Sequence, residues 1–192
     1  SDNKTLMKEE KFAKLVARFM EGATFKNADA VRAKYETLPK GSAEKSEAAL
    51  AAAGKFESFV KEFPKSEFAA IATYNIQLLY ANEEQIDNAI VWAERILKEF
   101  PKEITTHADL KKANAEETTY ANLAAYYEKV AQYKTAADWY VKFADKYKDN
   151  PKSPDSVYNA GIFHLGLGDT ENAIKLFARY IKDFPKQKDI PD

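Results

Sequence analysis

Phe63-Pro64-Lys65, Phe100-Pro101-Lys102 and Phe184-Pro185-Lys186 recur along a chain of 192 residues. A unit that returns at a regular period restricts the fold to an array of like elements. The first two are 37 residues apart, and Tyr147, another aromatic, stands 37 before Phe184. The match is closest between Tyr74–Lys102 and Tyr158–Lys186: each opens on Tyr-Asn and continues through Asn-Ala-Ile, an Arg and a Lys to Phe-Pro-Lys.

The repeated element reads as helical. Pro39, Pro64, Pro101, Pro151, Pro154, Pro185 and Pro191 all fall between apolar-periodic segments. Proline inside a helix costs about 3 kcal/mol, so this placement marks boundaries. Within the segments the apolar spacing is that of a helix face. Phe12, Leu15, Val16, Phe19 and Met20 form one stripe, which Gly22 is expected to end. Val31, Tyr35 and Leu38 form a second. Leu50, Ala53, Phe56, Phe59, Val60 and Phe63 form a third, with Ser42 as its expected N-cap. No segment alternates apolar and polar residues as a strand would. The expectation is an all-α chain of about eight or nine helices.

These residues resemble the tetratricopeptide repeat family, whose helix–turn–helix units stack into an α-solenoid. Three units carry the resemblance. In residues 154–187, Val157, Ala160, Gly161 and His164 take the first-helix positions, and Gly168-Asp169 makes the turn. Ala173, Phe177, Tyr180 and Pro185 complete that unit. Residues 117–150 offer Tyr120, Leu123, Ala124, Tyr127, Ala136, Tyr140 and Phe143, with Lys148 where proline is expected. Residues 70–103 offer Thr73, Ile76, Gln77, Tyr80, Ala89, Ala93, Ile96 and Pro101. Residues 104–116 form an insert, an extra helical turn or a loop, that stretches one period to 47. Residues 1–66 fit least well and read as N-terminal helices. They contain one degenerate unit built on Ala52, Phe56, Phe59 and Pro64, with residues 28–38 as its first helix.

Composition narrows the chemistry. With no cysteine, thiolate zinc sites, iron–sulfur clusters, disulfides and cysteine nucleophiles are excluded. The net charge of -1 argues against an electrostatic nucleic-acid binder. Of 29 basic residues only Arg18, Arg32, Arg95 and Arg179 are arginine, so phosphate forks have little material. The two histidines, His107 and His164, lack zinc-ligand spacing. His164 stands at a packing position, and no Ser–His–carboxylate signature occurs. The chain is therefore expected to be non-catalytic, with no cofactor and no metal. No apolar run reaches the roughly 18 residues needed to span a bilayer.

The resemblance also implies a surface. The first-helix positions that line the family's concave face fall on Ile71, Tyr74 and Leu78, then Ala121 and Ala125, then Tyr158, Ile162 and Leu165. The basic and Asn residues with which some members grip acidic peptide termini are absent there, because Tyr74 and Leu78 occupy those places. The expected partner is a peptide or protein segment with apolar or aromatic anchors. Asn75, Asn122 and Asn159 recur at one position and are expected to bond helix to helix. Trp92 and Trp139 lie on second helices, where packing is expected of them rather than stacking on sugars.

Phe63–Ser66 and the Lys-rich second helices resemble repeats of bacterial outer-membrane assembly and envelope lipoproteins. That implies a periplasmic, outer-membrane-associated scaffold among envelope components. A cytoplasmic adaptor and a regulatory array of a larger enzyme are the alternatives. Pro154-Asp155, shifted by 37, lands on Pro191-Asp192, so the array is expected to continue or to be covered there. The last helix keeps Ile174, Phe177, Ile181 and Phe184, where a terminal helix would be polar, and further repeats, a partner or self-association would cover it.

Overall fold

The computed structural model describes residues 2–187, with side chains from residue 8 onward. The described residues are all-helical. Eight long helices are α1 (Asp2–Thr37), α2 (Ala43–Glu62), α3 (Ala69–Asn82), α4 (Ile86–Glu99), α7 (Ala115–Lys129), α8 (Tyr133–Lys146), α9 (Ser153–Gly166) and α10 (Thr170–Asp183). Between α4 and α7 the insert forms two short helices, α5 (Glu103–Thr106) and α6 (Ala108–Lys112). Ten helices thus stand among the described residues against the eight or nine expected, because the insert is helical. Ile104 and Leu110 are its buried anchors, and His107 caps α6 by accepting from the Asp109 amide at 3.2 Å.

The N-terminal stripe does not end at Gly22. α1 runs unbroken for 36 residues. Gly22 lacks the positive φ of a C-cap, and a mid-helix glycine costs only about 1 kcal/mol. The first turn comes at Pro39 and Gly41, the latter at φ 79°. Ser42 then caps α2 as expected, its hydroxyl accepting from the Lys45 amide at 3.2 Å.

The chain divides into two compact units, one through Ile96 and one from Leu97. The division falls inside α4, and α3 packs on α2 within the first unit. That unit is centred on Phe56 and Phe59, both fully buried, with Ala49, Ala52, Ala53, Val60 and Ile76. Phe25 of α1 closes it. Its ring lies 5.7 Å from Phe56, 5.6 Å from Phe59 and stacks on Phe68 at 4.8 Å. Trp92 packs against the same core.

α1 presents two apolar faces. Phe25, Ala28, Val31 and Tyr35 pack toward α2. At about 100° per residue, Phe12, Leu15, Val16 and Phe19 point to nearly the opposite side of the helix. All four are exposed, Phe19 to 78%.

In the second unit α7, α8, α9 and α10 pack in succession. Alanines and one glycine, Ala124, Ala136, Ala137, Ala144, Ala160, Gly161 and Ala173, are buried along the helix contacts, which lets the backbones approach. Ala144 of α8, Val157 of α9 and Tyr180 of α10 form one cluster, with Leu176 and Phe184 against it. Trp139 meets Tyr120 edge-on at 5.5 Å, a packing role as expected.

The α3–α4, α7–α8 and α9–α10 turns share one backbone. Glu84, Ala131 and Gly168 occupy equivalent places with φ of 57°, 58° and 78°. The amide that follows each donates five residues back, Gln85 to Tyr80, Gln132 to Tyr127 and Asp169 to His164, all at 2.9 Å. This is the left-handed helix end that glycine suits, and other residues pay roughly 1–2 kcal/mol for it. Glycine's greater freedom in the unfolded chain offsets part of the difference. Ala131→Gly is therefore expected to stabilise by about 0.5–1 kcal/mol and Gly168→Ala to destabilise by about 1 kcal/mol or more. Urea denaturation midpoints of the two variants on either side of the parent check this; a shared direction contradicts it.

Candidate interaction surface

α9 carries the most open part of the surface expected from sequence. Tyr158, Ile162 and Leu165 lie every three or four residues along one side of the helix, and all three are exposed. The opposite side, with Ser153, Val157 and Ala160, is buried. Tyr158 is held at its base by Phe177 and Tyr180 of α10, with ring centroids 5.6 Å and 5.5 Å away. It is thus an aromatic anchor with one edge packed and one edge free.

Ala121 and Ala125 of α7 are half-buried and line a cleft of about 360 Å³. Tyr140 and Phe143 of α8 form part of its wall. Asn122, Lys152, Asp155 and Asn159 add polar groups. The cleft therefore has a small-residue and aromatic lining with hydrogen-bonding groups of both kinds, suited to a segment that offers side chains and main chain together.

Hydroxyl–carboxylate bonds shape the walls. Tyr140 donates to Glu128 at 2.6 Å, and the Asn159 side chain also bonds it. Burial, then the Glu128 carboxylate, raises the Tyr140 hydroxyl well above its ordinary pKa. Asn159 thus joins α9 to α8, the helix-to-helix role expected of it. Tyr147 donates to Glu116 at 2.9 Å, and burial followed by that carboxylate raises it in the same direction. Lys146 reaches the same Glu116 at 3.1 Å, and Asn150 donates to Glu117 at 2.6 Å. In the first unit Tyr80 donates to Glu57 at 2.7 Å and is pushed up to about 12 by burial and then by Glu57.

The three residues expected on the first unit are more enclosed. Ile71 and Leu78 are half-buried, and Tyr74 is only 7% exposed. Tyr74 therefore offers a partner far less surface than Tyr158, although both open the same repeated Tyr-Asn. α3 buries eight of its fourteen residues, Tyr74 among them, whereas α9 buries six of fourteen and leaves Tyr158 outside that set.

His164 is half-buried and its Nδ1 lies 2.9 Å from Asp169 Oδ2. Asp169 caps α10 through the Asn172 amide and side chain, and those bonds hold its carboxyl below the usual range, with His164 adding to the effect. The histidine is thereby engaged at the hairpin turn. No group of three or more His, Asp or Glu suited to a metal occurs among the described residues, and no described helix is long and apolar enough to cross a membrane.

A larger cleft of about 490 Å³ lies in the first unit beside Tyr35, Lys40, Lys45, Asn82 and Glu83. Three of its polar side chains are already engaged. Lys45 Nζ donates to the Leu38 carbonyl at 2.8 Å and sits over the Tyr35 ring, while Asn82 donates to the Tyr35 hydroxyl at 3.0 Å.

The hydroxyl–carboxylate pairs were not visible in the sequence. Their partners are separated by 12, 23 and 31 residues, so no common spacing marks them.

Residues 155–186 match the tetratricopeptide repeat family. The match coincides with the last unit of the internal repeat. The chain is also similar to the crystal structure of BtubC (BKLC) from P. vanneervenii, at 13% identity over 90% of this chain and 75% of that one, with a TM-score of 0.45. A likeness of that degree carries no inference about function. No curated protein matches the chain.

Proposed function

We propose that the chain is a non-catalytic interaction scaffold that takes an extended or helical protein segment on the second unit, across the α9 line and the neighbouring cleft. The observation that carries this reading is the exposed run Tyr158–Ile162–Leu165 beside a cleft lined by Ala121, Ala125 and Tyr140. Large apolar side chains held open in a row on a rigid helix are the usual anchors of protein recognition. Repeat arrays of this kind act through protein partners, which agrees with the family match over residues 155–186.

Anchors of this type contribute about 1–2 kcal/mol each when truncated. Tyr158→Ala/Ile162→Ala/Leu165→Ala is therefore expected to lower partner recovery in a crosslinking pull-down by at least tenfold, with helical content unchanged by circular dichroism. Full recovery by a folded triple variant overturns the reading.

The envelope setting belongs to the same proposal. It is supported by the resemblance of Phe63–Ser66 and the Lys-rich helices to repeats of bacterial envelope assembly proteins. The partner would then be a periplasmic component, and fractionation of cells producing the full-length gene product tests it. Recovery wholly in the cytoplasmic fraction would favour the adaptor reading instead.

A further inference from the structure

The three repeats share one set of equivalent places, and the middle repeat leaves two of them unfilled. Tyr74 and Leu78 of α3 correspond to Tyr158 and Ile162 of α9, 84 residues on. Between them, 47 residues after the first pair and 37 before the second, stand Ala121 and Ala125 of α7. The register is kept by the asparagines Asn75, Asn122 and Asn159, which directly follow Tyr74, Ala121 and Tyr158. The middle repeat therefore lacks a phenol ring and a branched aliphatic side chain that both other repeats possess.

Where the tyrosine is present, it occupies a defined seat. Tyr74 is buried. The Tyr158 ring rests on Phe177 and Tyr180, with centroids 5.6 Å and 5.5 Å away. The residues equivalent to that aromatic pair, 37 positions earlier, are Tyr140 and Phe143 of α8. Both line the cleft of about 360 Å³ that Ala121 and Ala125 open. The aromatic floor is thus kept in the middle repeat, and the ring that belongs on it is not supplied. Interiors are otherwise close-packed, and α8 does pack on both α7 and α9. Tyr140 does not close the gap itself, because its hydroxyl is held by Glu128 at 2.6 Å and by Asn159.

We infer that this cleft receives a tyrosine side chain of the partner segment, seated on Tyr140 and Phe143 as Tyr158 is seated on Phe177 and Tyr180. An adjoining aliphatic side chain of the segment takes the place above Ala125. The inference rests on the reading of the second unit as a protein-binding surface, and it specifies what the bound segment carries. An aromatic ring on an aromatic floor gains contact energy beyond its buried area, which an aliphatic side chain does not. The rim distinguishes tyrosine from phenylalanine. Asn122, Lys152 and Asp155 line the same cleft, so a phenolic hydroxyl finds donors and an acceptor there. The chain's own repeats are the template, since two of the three fill this seat with tyrosine and none with a charged residue.

Magnetic resonance titration of the isotope-labelled 192-residue chain with N-acetyltyrosinamide tests this. The backbone amides of Ala121, Ala125 and Asn159 are expected to shift and to saturate. N-acetylphenylalaninamide should need a higher concentration, and N-acetylserinamide should leave these amides in place. Ala121→Tyr supplies the ring from the chain itself. That variant is expected to lose the shifts, to keep its helical content by circular dichroism and to raise the urea midpoint. Should it not fold, Ala121→Leu blocks the same seat with a smaller side chain and should lose the shifts likewise. The absence of saturating shifts in the parent overturns the inference. So does their persistence in a folded Ala121 variant, or a folded Ala121→Tyr whose midpoint falls below the parent's, because the seat then does not fit a tyrosine. A crosslinking pull-down separates this from the reading beneath it. Partner recovery that falls with Tyr158→Ala/Ile162→Ala/Leu165→Ala but not with Ala121→Tyr overturns the tyrosine seat and leaves the surface standing. Tyrosinamide shifts together with full partner recovery by both variants support the seat and overturn the wider surface.

Discussion

Phe59→Ala is expected to destabilise the first unit by about 3–5 kcal/mol, the range for removing a buried aromatic ring. Phe59 is fully buried and is touched from two directions, by Phe25 at 5.6 Å and by Phe63 at 5.5 Å. Phe25 in turn is one of the few large side chains by which α1 is held to α2. The ring's removal leaves a void that Phe25 cannot fill while it remains stacked on Phe68 at 4.8 Å. α1 and α2 should therefore loosen together. Calorimetry should show a transition lowered by on the order of 10 °C, and the amides of α1 to α3 should exchange faster. Phe12→Ala, at an exposed phenylalanine of α1, is the control, expected to stay within about 0.5 kcal/mol under monomeric conditions. Equal midpoints for Phe59→Ala and the parent would contradict the core described for this unit.

A second contrast compares two helical glycines. A methyl group on Gly161 would stand 2.7 Å from Phe177 Cε1 and 3.0 Å from its Cδ1, closer than carbon atoms approach. Phe177 must then tilt, against Tyr158 on one side, so Gly161→Ala is expected to cost about 1–3 kcal/mol. A methyl group on Gly54 in α2 meets nothing within 4 Å. There alanine only gains helix propensity, by up to about 1 kcal/mol. Chemical denaturation should move the two midpoints in opposite directions. If Gly161→Ala were neutral or stabilising, the close passage of α9 and α10 would not be a rigid constraint.

The sequence was most informative where one physical rule acted alone. Proline and glycine placement located the hairpins, because few residues other than glycine tolerate the turn and none but proline lacks the amide. Even so, the turns at Glu84 and Ala131 use the same left-handed backbone without glycine, and only alignment with Gly168 could have revealed them. The stripes at Phe12–Met20 and Val31–Leu38 look like separate helices in the sequence, since a change of apolar face resembles a break when only periodicity is followed. The helix in fact continues and turns a second side outward. Among the site residues, the apolar identity of Tyr158, Ile162 and Leu165 was legible, but their exposure was not. The same Tyr-Asn opens α3, where Tyr74 is buried, so enclosure depends on neighbours that no local pattern records. Nor does any local pattern mark Tyr140 as a wall of the cleft, because its partner Glu128 lies across a turn.

The two-faced α1 has a further consequence. Because the helix is continuous, the bearing of Phe12 and Phe19 relative to Phe25 is set by counting, with each residue between them acting as a cog of about 100°. Removing two residues from the segment 20–24 would swing the stripe by roughly 200° and bring it round to the side already occupied by α2. Replacing those same residues with other helix formers would leave its bearing untouched. Residue number in that segment, rather than residue identity, is what aims the N-terminal half of the helix.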